Sequence, residues 1–129
     1  MAKKVSVKEQ LSEYLPLAIV FMAAASLLTY NLGMWSFWFD ESFTSALIRY
    51  EYSEIAGRTA NDVHPPLYYY LLKAWGSVFG TTDAALRAFS SVLMLFAGFS
   101  LYGLFKKIAN KNVALTAMVL VAIGPFFLR

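Results

Sequence analysis

The sequence predicts an all-α integral membrane protein with about three transmembrane helices and two external juxtamembrane helices. Two observations support this prediction. Hydrophobic residues make up 59% of the 129 residues and charged residues only 15%, whereas soluble domains have roughly 25% charged residues. The apolar residues also gather in runs close to the length of about 20 residues that a membrane helix needs. Because so few charges cannot cover a water-soluble surface, the surplus apolar surface requires lipid.

The first transmembrane helix is predicted over residues 14–33, after a lysine-bearing cytoplasmic segment over residues 1–13. The apolar run leads into an aromatic cluster over residues 34–39, and Trp side chains favour the headgroup layer of a bilayer. A secretory signal would end in a small-residue cleavage pattern, which the sequence lacks at this point. We therefore expect an uncleaved membrane helix.

Two further transmembrane helices are predicted over residues 84–105 and 113–129, joined by a cytoplasmic loop over residues 106–112. The orientation depends on residues 65–79, a short tyrosine-rich stretch that either crosses the membrane or lies flat in its surface. Lysines beside membrane helices favour the cytoplasmic side. If the stretch lies flat, the lysines near the N-terminus and those of the loop share that side, whereas crossing would separate them. The lysines therefore favour the flat arrangement.

The segment over residues 34–83 is then external and carries two short predicted helices. The first covers residues 41–56, where apolar side chains recur at helical spacing. The second covers residues 65–79, where Pro66 suits a first turn and Gly80 suits a stop. Both helices are expected at the outer surface of the membrane.

Asp40 and Glu41 form an acidic pair shortly after the first transmembrane helix. At a membrane boundary such a pair can activate a hydroxyl as a general base or bind a cation. The same residues also suit the first turn of a helix, where Asp caps the N-terminus and Glu complements the dipole. The residues by themselves leave both interpretations open.

His64 and Arg87 are the basic candidates. His64 is the single histidine and precedes two prolines, which hold the chain extended just before a helix. Its imidazole could meet an anion near that helix N-terminus, and the alternative is an incidental surface histidine. Arg87, near the start of the second transmembrane helix, either extends to the outer interface or holds a phosphate with its planar fork of donors.

The remaining candidates are aromatic. Tyr68, Tyr69 and Trp75 suit either a lipid groove or simple anchoring at the membrane interface. No metal site is predicted, because no ligand spacing is diagnostic. The residues that such a site would use are Asp40, Glu41, Asp62 and His64. The absence of cysteine excludes disulfides, and no basic block indicates nucleic-acid binding.

In their order along the chain, these pieces resemble the N-terminal part of the GT-C glycosyltransferases of the protein-mannosyltransferase and aminoarabinose-transferase type. The resemblance extends over nearly the whole chain from residue 15. Its motifs are Trp38-Phe39-Asp40-Glu41, His64-Pro65-Pro66-Leu67-Tyr68-Tyr69, Phe79-Gly80 and Ala85-Leu86-Arg87. Each motif is weak alone, but their order and spacing together are specific. The resemblance favours the catalytic interpretation of Asp40.

The resemblance implies an inverting membrane glycosyltransferase that moves a sugar from a polyprenyl-phosphate donor to an acceptor hydroxyl. Its active site would face the external or periplasmic side of the cell membrane. Asp40 would deprotonate the acceptor with support from Glu41. His64, which stands where relatives often carry lysine, would contact the donor phosphate, and Arg87 would take a phosphate or a structural role. The groove for the donor lipid would be lined by Tyr68, Tyr69 and Trp75.

The expected partners are the polyprenyl-phosphate-linked sugar, membrane lipid, and an acceptor that is a protein, a lipid or a glycan. Nucleic acid is not expected. No cofactor is required by the pattern, which leaves a divalent cation open. Because the family has further transmembrane helices, we expect this chain to be the start of a larger polytopic GT-C fold and inactive alone. The alternative is a non-catalytic three-helix accessory or scaffold protein. A reading frame continuing into further apolar helices after Arg129 would favour the enzyme.

Overall fold

The computed structural model describes residues 7–30, 32–34, 36–60 and 64–122. Within these residues the chain forms six α-helices and no strand, so the all-α prediction is confirmed. The helices in chain order are α1 (Val7–Thr29), α2 (Phe39–Leu47), α3 (Tyr52–Ala60), α4 (Leu67–Phe79), α5 (Asp83–Ile108) and α6 (Lys111–Ala122).

The helices divide between two compact units. The long-helix unit contains α1, α6 and residues 91–108 of α5. The short-helix unit contains α2, α3, α4, residues 83–90 of α5, and the segment that precedes α2. The acidic pair and Arg87 both belong to the short-helix unit.

Two hydrogen bonds fix the direction of the helices in the long-helix unit. Ser91 Oγ donates to the Leu28 carbonyl at 3.1 Å, and Lys111 Nζ donates to the Ser12 carbonyl at 2.6 Å. The end of α1 therefore lies beside residue 91, while the start of α1 lies beside the turn between α5 and α6. The buried core of this unit consists of Tyr102, Ala114 and Met118.

The long-helix unit exposes many apolar side chains, as its composition requires. Among the described residues, α5 is the one helix both long and apolar enough to cross a membrane, and α1 and α6 hold shorter apolar segments, Tyr14–Thr29 and Lys111–Val121. Exposed apolar patches of this extent indicate contact with lipid or protein. The exposed side chains include Leu15, Ile19, Met22, Phe96, Phe99 and Leu120.

The helix bounds follow the predicted runs with local differences. The predicted run over residues 84–105 lies inside α5, and the run over residues 14–33 overlaps α1, which begins at Val7 and ends at Thr29. The run over residues 113–129 overlaps α6, and residues 123–129 lie outside the described residues.

In the short-helix unit, α4 packs into two apolar clusters. Leu72 joins Ile48, Leu86 and Phe89 in the first cluster, against which Phe37 and Trp75 pack. One turn earlier, Tyr69 joins Leu47 and Ile55 in the second. Because residues three apart lie on one side of a helix, this side of α4 packs against α2 and α3 as well as the start of α5.

The single helix expected over residues 41–56 is divided into α2 and α3. Lys73 Nζ donates to the carbonyls of Ile48 at 3.1 Å and Tyr50 at 2.8 Å, which satisfies backbone acceptors where α2 ends. The Glu54 carboxylate accepts from the Glu51 amide at 3.1 Å, which caps the start of α3. A lysine on α4 and a local cap therefore favour two short helices over one continuous helix.

Glycine ends α4 and allows the next helix to approach. Gly80 has a φ of 89°, a conformation that side-chain-bearing residues rarely adopt. At Gly76, a Cβ atom would lie 3.3 Å from Thr81 Cγ2 and 3.8 Å from Leu86 Cδ2. The start of α5 thus packs closely on α4.

Candidate functional site

The short-helix unit contains an open cavity of about 150 Å³. Side chains from α2, α4 and the first turns of α5 line it, together with one aromatic residue before α2. The lining residues are Phe37, Asp40, Glu41, Thr44, Tyr68, Leu72, Leu86, Arg87 and Ser90. Four residues predicted as site residues from the sequence, Asp40, Glu41, Tyr68 and Arg87, are therefore brought together.

The start of α2 places the acidic pair at this cavity. Trp38 is extended, with φ −68° and ψ 168°, and its amide donates to Glu41 Oε2 at 3.1 Å. Asp40 and Glu41 then occupy the first turn, where carboxylates interact favourably with the helix dipole. The N-cap residue is Trp38, so the predicted cap by Asp40 is wrong, whereas Glu41 lies in the first turn as predicted. The Asp40 side chain is exposed at the cavity.

Glu41 and Arg87 form a two-pronged ion pair. Arg87 Nε donates to Glu41 Oε1 at 3.0 Å, and Nη2 donates to Oε2 at 2.7 Å. Such paired, charge-assisted hydrogen bonds fix orientation as well as distance. Arg87 also donates to the carbonyls of Leu32 at 2.8 Å and Ser36 at 3.2 Å. The guanidinium therefore ties the segment before α2, and α2 itself, to the start of α5.

Pairing with Arg87 lowers the pKa of the Glu41 carboxyl from its ordinary value of 4.5. The side-chain hydrogen bonds from Arg87 are the largest cause; the Trp38 amide and the positive charge act in the same direction, and partial burial opposes them. Glu41 is consequently ionised at neutral pH.

The Glu41 contribution to stability depends on pH in a defined direction. Because the folded-state pKa is lowered, the contribution is fully present above about pH 4.5 and is lost as the pH falls through the folded value. We expect the melting temperature of the wild type to exceed that of Glu41→Gln above pH 5, and the gap to narrow below pH 4. Thermal unfolding followed by tryptophan fluorescence between pH 3 and pH 7 measures the gap. A pH-independent gap would contradict the assignment.

Asp40 has a different environment from its neighbour. The side chain is exposed and lines the cavity, and it forms no salt bridge with the residues that the structure describes. Its carboxylate is therefore reachable by a ligand in the cavity. The pair thus divides into a bound acid, Glu41, and an available one, Asp40.

The three predicted aromatic residues occupy different places. Tyr68 lines the cavity, and its Oη lies 2.9 Å from Ser90 Oγ. Tyr69 is buried in the apolar cluster with Leu47 and Ile55. Trp75 packs on the other cluster, and its Nε1 donates to the Ala85 carbonyl at 2.8 Å. Of the three, Tyr68 alone belongs to the cavity lining.

His64 is exposed three residues before α4 and is not among the residues that line the cavity. Asp62, which a metal site would use together with His64, lies outside the described residues. Among the described residues, no group of three or more acidic or histidine side chains is placed to hold a metal ion.

Thr44 and Ser90 line the cavity but were not predicted. Their spacing from Asp40 and Arg87 along the helices could have identified them as lining residues. Thr44 follows Asp40 by four residues on α2, and Ser90 follows Arg87 by three on α5, and both separations place side chains on one side of a helix. Small hydroxyl residues are common in helices, so this spacing predicts a lining residue only when an acid or arginine of the site is already identified.

A family model described as dolichyl-phosphate-mannose-protein mannosyltransferase matches residues 63–129, slightly more than half of the chain. The matched region contains His64, Tyr68 and Arg87, whereas Asp40 and Glu41 precede it. No curated protein and no solved structure matches the chain.

Proposed function

Because the chain belongs to the dolichyl-phosphate-mannose-protein mannosyltransferase family, we propose that it carries the acceptor-activating residues of a membrane glycosyltransferase. The resemblance predicted from the sequence is confirmed at the level of this family, which is a membrane-associated glycosyltransferase family. The proposed reaction transfers a sugar from a polyprenyl-phosphate donor to an acceptor hydroxyl, with inversion at the sugar carbon.

One observation supports this proposal: the cavity is lined by two carboxylates, of which one is exposed and the other is bound by an arginine. Asp40 is exposed on the cavity, while Glu41 is held by Arg87 through two hydrogen bonds of 2.7 and 3.0 Å. Arg87 lies inside the region matched to the family, and it positions the acidic pair that lies outside that region. The ion pair thus links the acidic motif to the family region.

In the proposed step, Asp40 acts as the general base. Its carboxylate takes the proton of the acceptor hydroxyl as the hydroxyl oxygen attacks the sugar carbon from the face opposite the phosphate. The bond between that carbon and the phosphate oxygen breaks, and polyprenyl phosphate leaves with the electron pair. Glu41, already paired with Arg87, keeps its charge and holds the first turn of α2 in place.

The donor phosphate is assigned to His64 by its place in the family motif. Of the two roles that the resemblance allows for Arg87, the contacts with Glu41, Leu32 and Ser36 support the structural one. A phosphate contact by Arg87 stays a prediction, as does the lipid groove formed by Tyr68, Tyr69 and Trp75.

We also propose that α1, α5 and α6 cross the membrane and that residues 34–83 face the external side. The contact of Lys111 with Ser12 places the turn between α5 and α6 at the same end of the long-helix unit as the start of α1. Lys106 and Lys107 end α5 at this turn. Clustering of lysines at one end supports a cytoplasmic location for that end.

Single-cysteine labelling tests this topology, since the sequence contains no cysteine. In intact cells or sealed vesicles of known orientation, a membrane-impermeant maleimide should label Ser53→Cys on α3 from the external side. It should label Lys107→Cys only after permeabilisation. The cysteine-free sequence gives the background, and labelling of both positions from one side would exclude the proposed arrangement.

A transfer assay tests the function itself. The complete gene product containing this chain, reconstituted in lipid vesicles, should transfer radiolabelled sugar from at least one of a panel of polyprenyl-phosphate hexoses and pentoses. Acceptors offered would be a protein, a glycolipid and a glycan. Each product should have the anomeric configuration opposite to that of the donor. Failure with every donor and acceptor would reject the proposal and favour the non-catalytic accessory or scaffold protein.

A further inference from the structure

Two hydroxyl side chains on the cavity wall have no part in the transfer step described above. Tyr68 projects from α4 and Ser90 from α5, and their oxygens lie 2.9 Å apart. Either oxygen can be the donor. Both residues are exposed, so the pair is reachable from the cavity.

The pair retains hydrogen-bonding capacity after its internal bond is made. Each hydroxyl supplies one donor hydrogen and two acceptor lone pairs, and the bond between them uses one of each kind. About one hydrogen and three lone pairs therefore remain for a ligand. A site that both donates and accepts fits another hydroxyl group better than it fits a purely anionic oxygen.

The charges around the cavity point to the same ligand chemistry. Arg87 is the cationic side chain among the described lining residues, and Glu41 offsets its charge through two hydrogen bonds. The rest of the lining away from Asp40 is apolar or hydroxyl-bearing, with Phe37, Leu72 and Leu86 supplying apolar faces. Such a lining suits the carbon–hydrogen faces and the hydroxyl groups of a neutral sugar.

The size of the cavity is compatible with a sugar. Its volume is about 150 Å³ and it is open to the surface. One monosaccharide ring can therefore lie against the Tyr68 and Ser90 hydroxyls while the rest of a larger donor extends outside the cavity.

We propose that the paired hydroxyls of Tyr68 and Ser90 recognise one hydroxyl group of the transferred sugar and thereby determine donor specificity. This rests on the function proposed above. It assigns Tyr68 to the sugar instead of the predicted lipid groove. Removal of either oxygen leaves the acid pair and Arg87 in place, so selectivity changes while the transfer chemistry persists.

The test uses the complete gene product in vesicles, with each active polyprenyl-phosphate sugar compared with its monodeoxy analogues. For one analogue, the wild type should show a lower kcat/KM than for the parent donor. Tyr68→Phe and Ser90→Ala should each reduce the discrimination ratio, which is kcat/KM for the parent donor divided by kcat/KM for that analogue, about three- to tenfold. The reduction should come mainly from a higher KM for the parent, as expected for loss of one uncharged hydrogen bond.

Both substitutions remove little more than an oxygen atom. Tyr68→Phe keeps the ring contacts with Tyr69 and Phe89, whose ring centroids lie 5.6 Å and 5.8 Å from that of Tyr68. We therefore expect the variant to remain folded, so that a change in selectivity reports the lost oxygen. Tyr52→Phe on α3 is the matched control, because that tyrosine does not line the cavity, and its discrimination should equal that of the wild type.

The outcomes separate this inference from the proposed function. If the wild type transfers sugar but both variants keep its discrimination ratio, the hydroxyl pair does not read the sugar and the inference fails alone. The same conclusion follows if the wild type accepts every monodeoxy donor equally. Absence of transfer from every donor would overturn the proposed function and this inference with it.

Discussion

Asp40→Asn in the complete gene product should lower kcat for sugar transfer by a factor of about 10² to 10⁴, the usual contribution of a positioned general base. The amide cannot take the acceptor proton, yet it has nearly the same size and shape. KM for the donor should change little, because Asp40 acts on the acceptor hydroxyl. Initial-rate kinetics in reconstituted vesicles measure both quantities.

The structural cost of Asp40→Asn should be small. Asp40 is exposed and has no salt bridge within the described residues, and surface substitutions of this kind usually change stability by less than about 0.5 kcal/mol. Glu51→Gln is the matched control, an exposed acid between α2 and α3 that does not line the cavity. Transfer at the wild-type rate by the Asn variant would remove Asp40 from the mechanism.

Arg87→Met should have the second large effect, through the placement of α2. Removal of the guanidinium leaves Glu41 unpaired and frees the carbonyls of Leu32 and Ser36. Breaking a fully buried pair costs about 3–5 kcal/mol. The Glu41 side chain is 38% exposed, so we expect about 1–3 kcal/mol here because water screens the freed charge. A displacement of Asp40 by about 1 Å would lower kcat about a hundredfold.

A double-mutant cycle distinguishes this positioning role from direct phosphate binding. If Arg87 acts through Glu41, then Glu41→Gln and Arg87→Met should each reduce kcat, and the double variant should be little worse than Arg87→Met. Arg49→Met, at an exposed arginine outside the cavity lining, serves as the control. A large rise in donor KM for Arg87→Met, with Glu41→Gln unaffected, would instead support a phosphate contact.

The helical class and the long apolar segments could be predicted because they depend on composition and run length. Residues 84–105 contain almost nothing that could end a helix, and α5 extends over all of them. The division between α2 and α3 could not be predicted in the same way. It depends on Lys73, a residue more than twenty positions later that binds the carbonyls of Ile48 and Tyr50. Periodicity within residues 41–56 contains no trace of that partner.

The candidate site shows the same difference between local and distant information. Asp40 and Glu41 were identified together because they are adjacent acids at a helix start, a local signal. Their separate roles depend on Arg87, which binds Glu41 and leaves Asp40 available. Tyr68 and Tyr69 are adjacent and chemically identical, yet one lines the cavity while the other is buried with Leu47 and Ile55. Their side chains lie on different sides of α4, and only the packing of α4 determines which side faces the cavity.

The ion pair also orders events during synthesis. Glu41 and Arg87 are 46 positions apart, and ribosomes add about 5 to 20 residues per second. The carboxylate therefore leaves the ribosome about 2 to 9 s before the guanidinium that will hold it. Until the beginning of α5 has been made, α2 lacks this anchor, so the ion pair that orders Glu41 forms only after Arg87 has been synthesised.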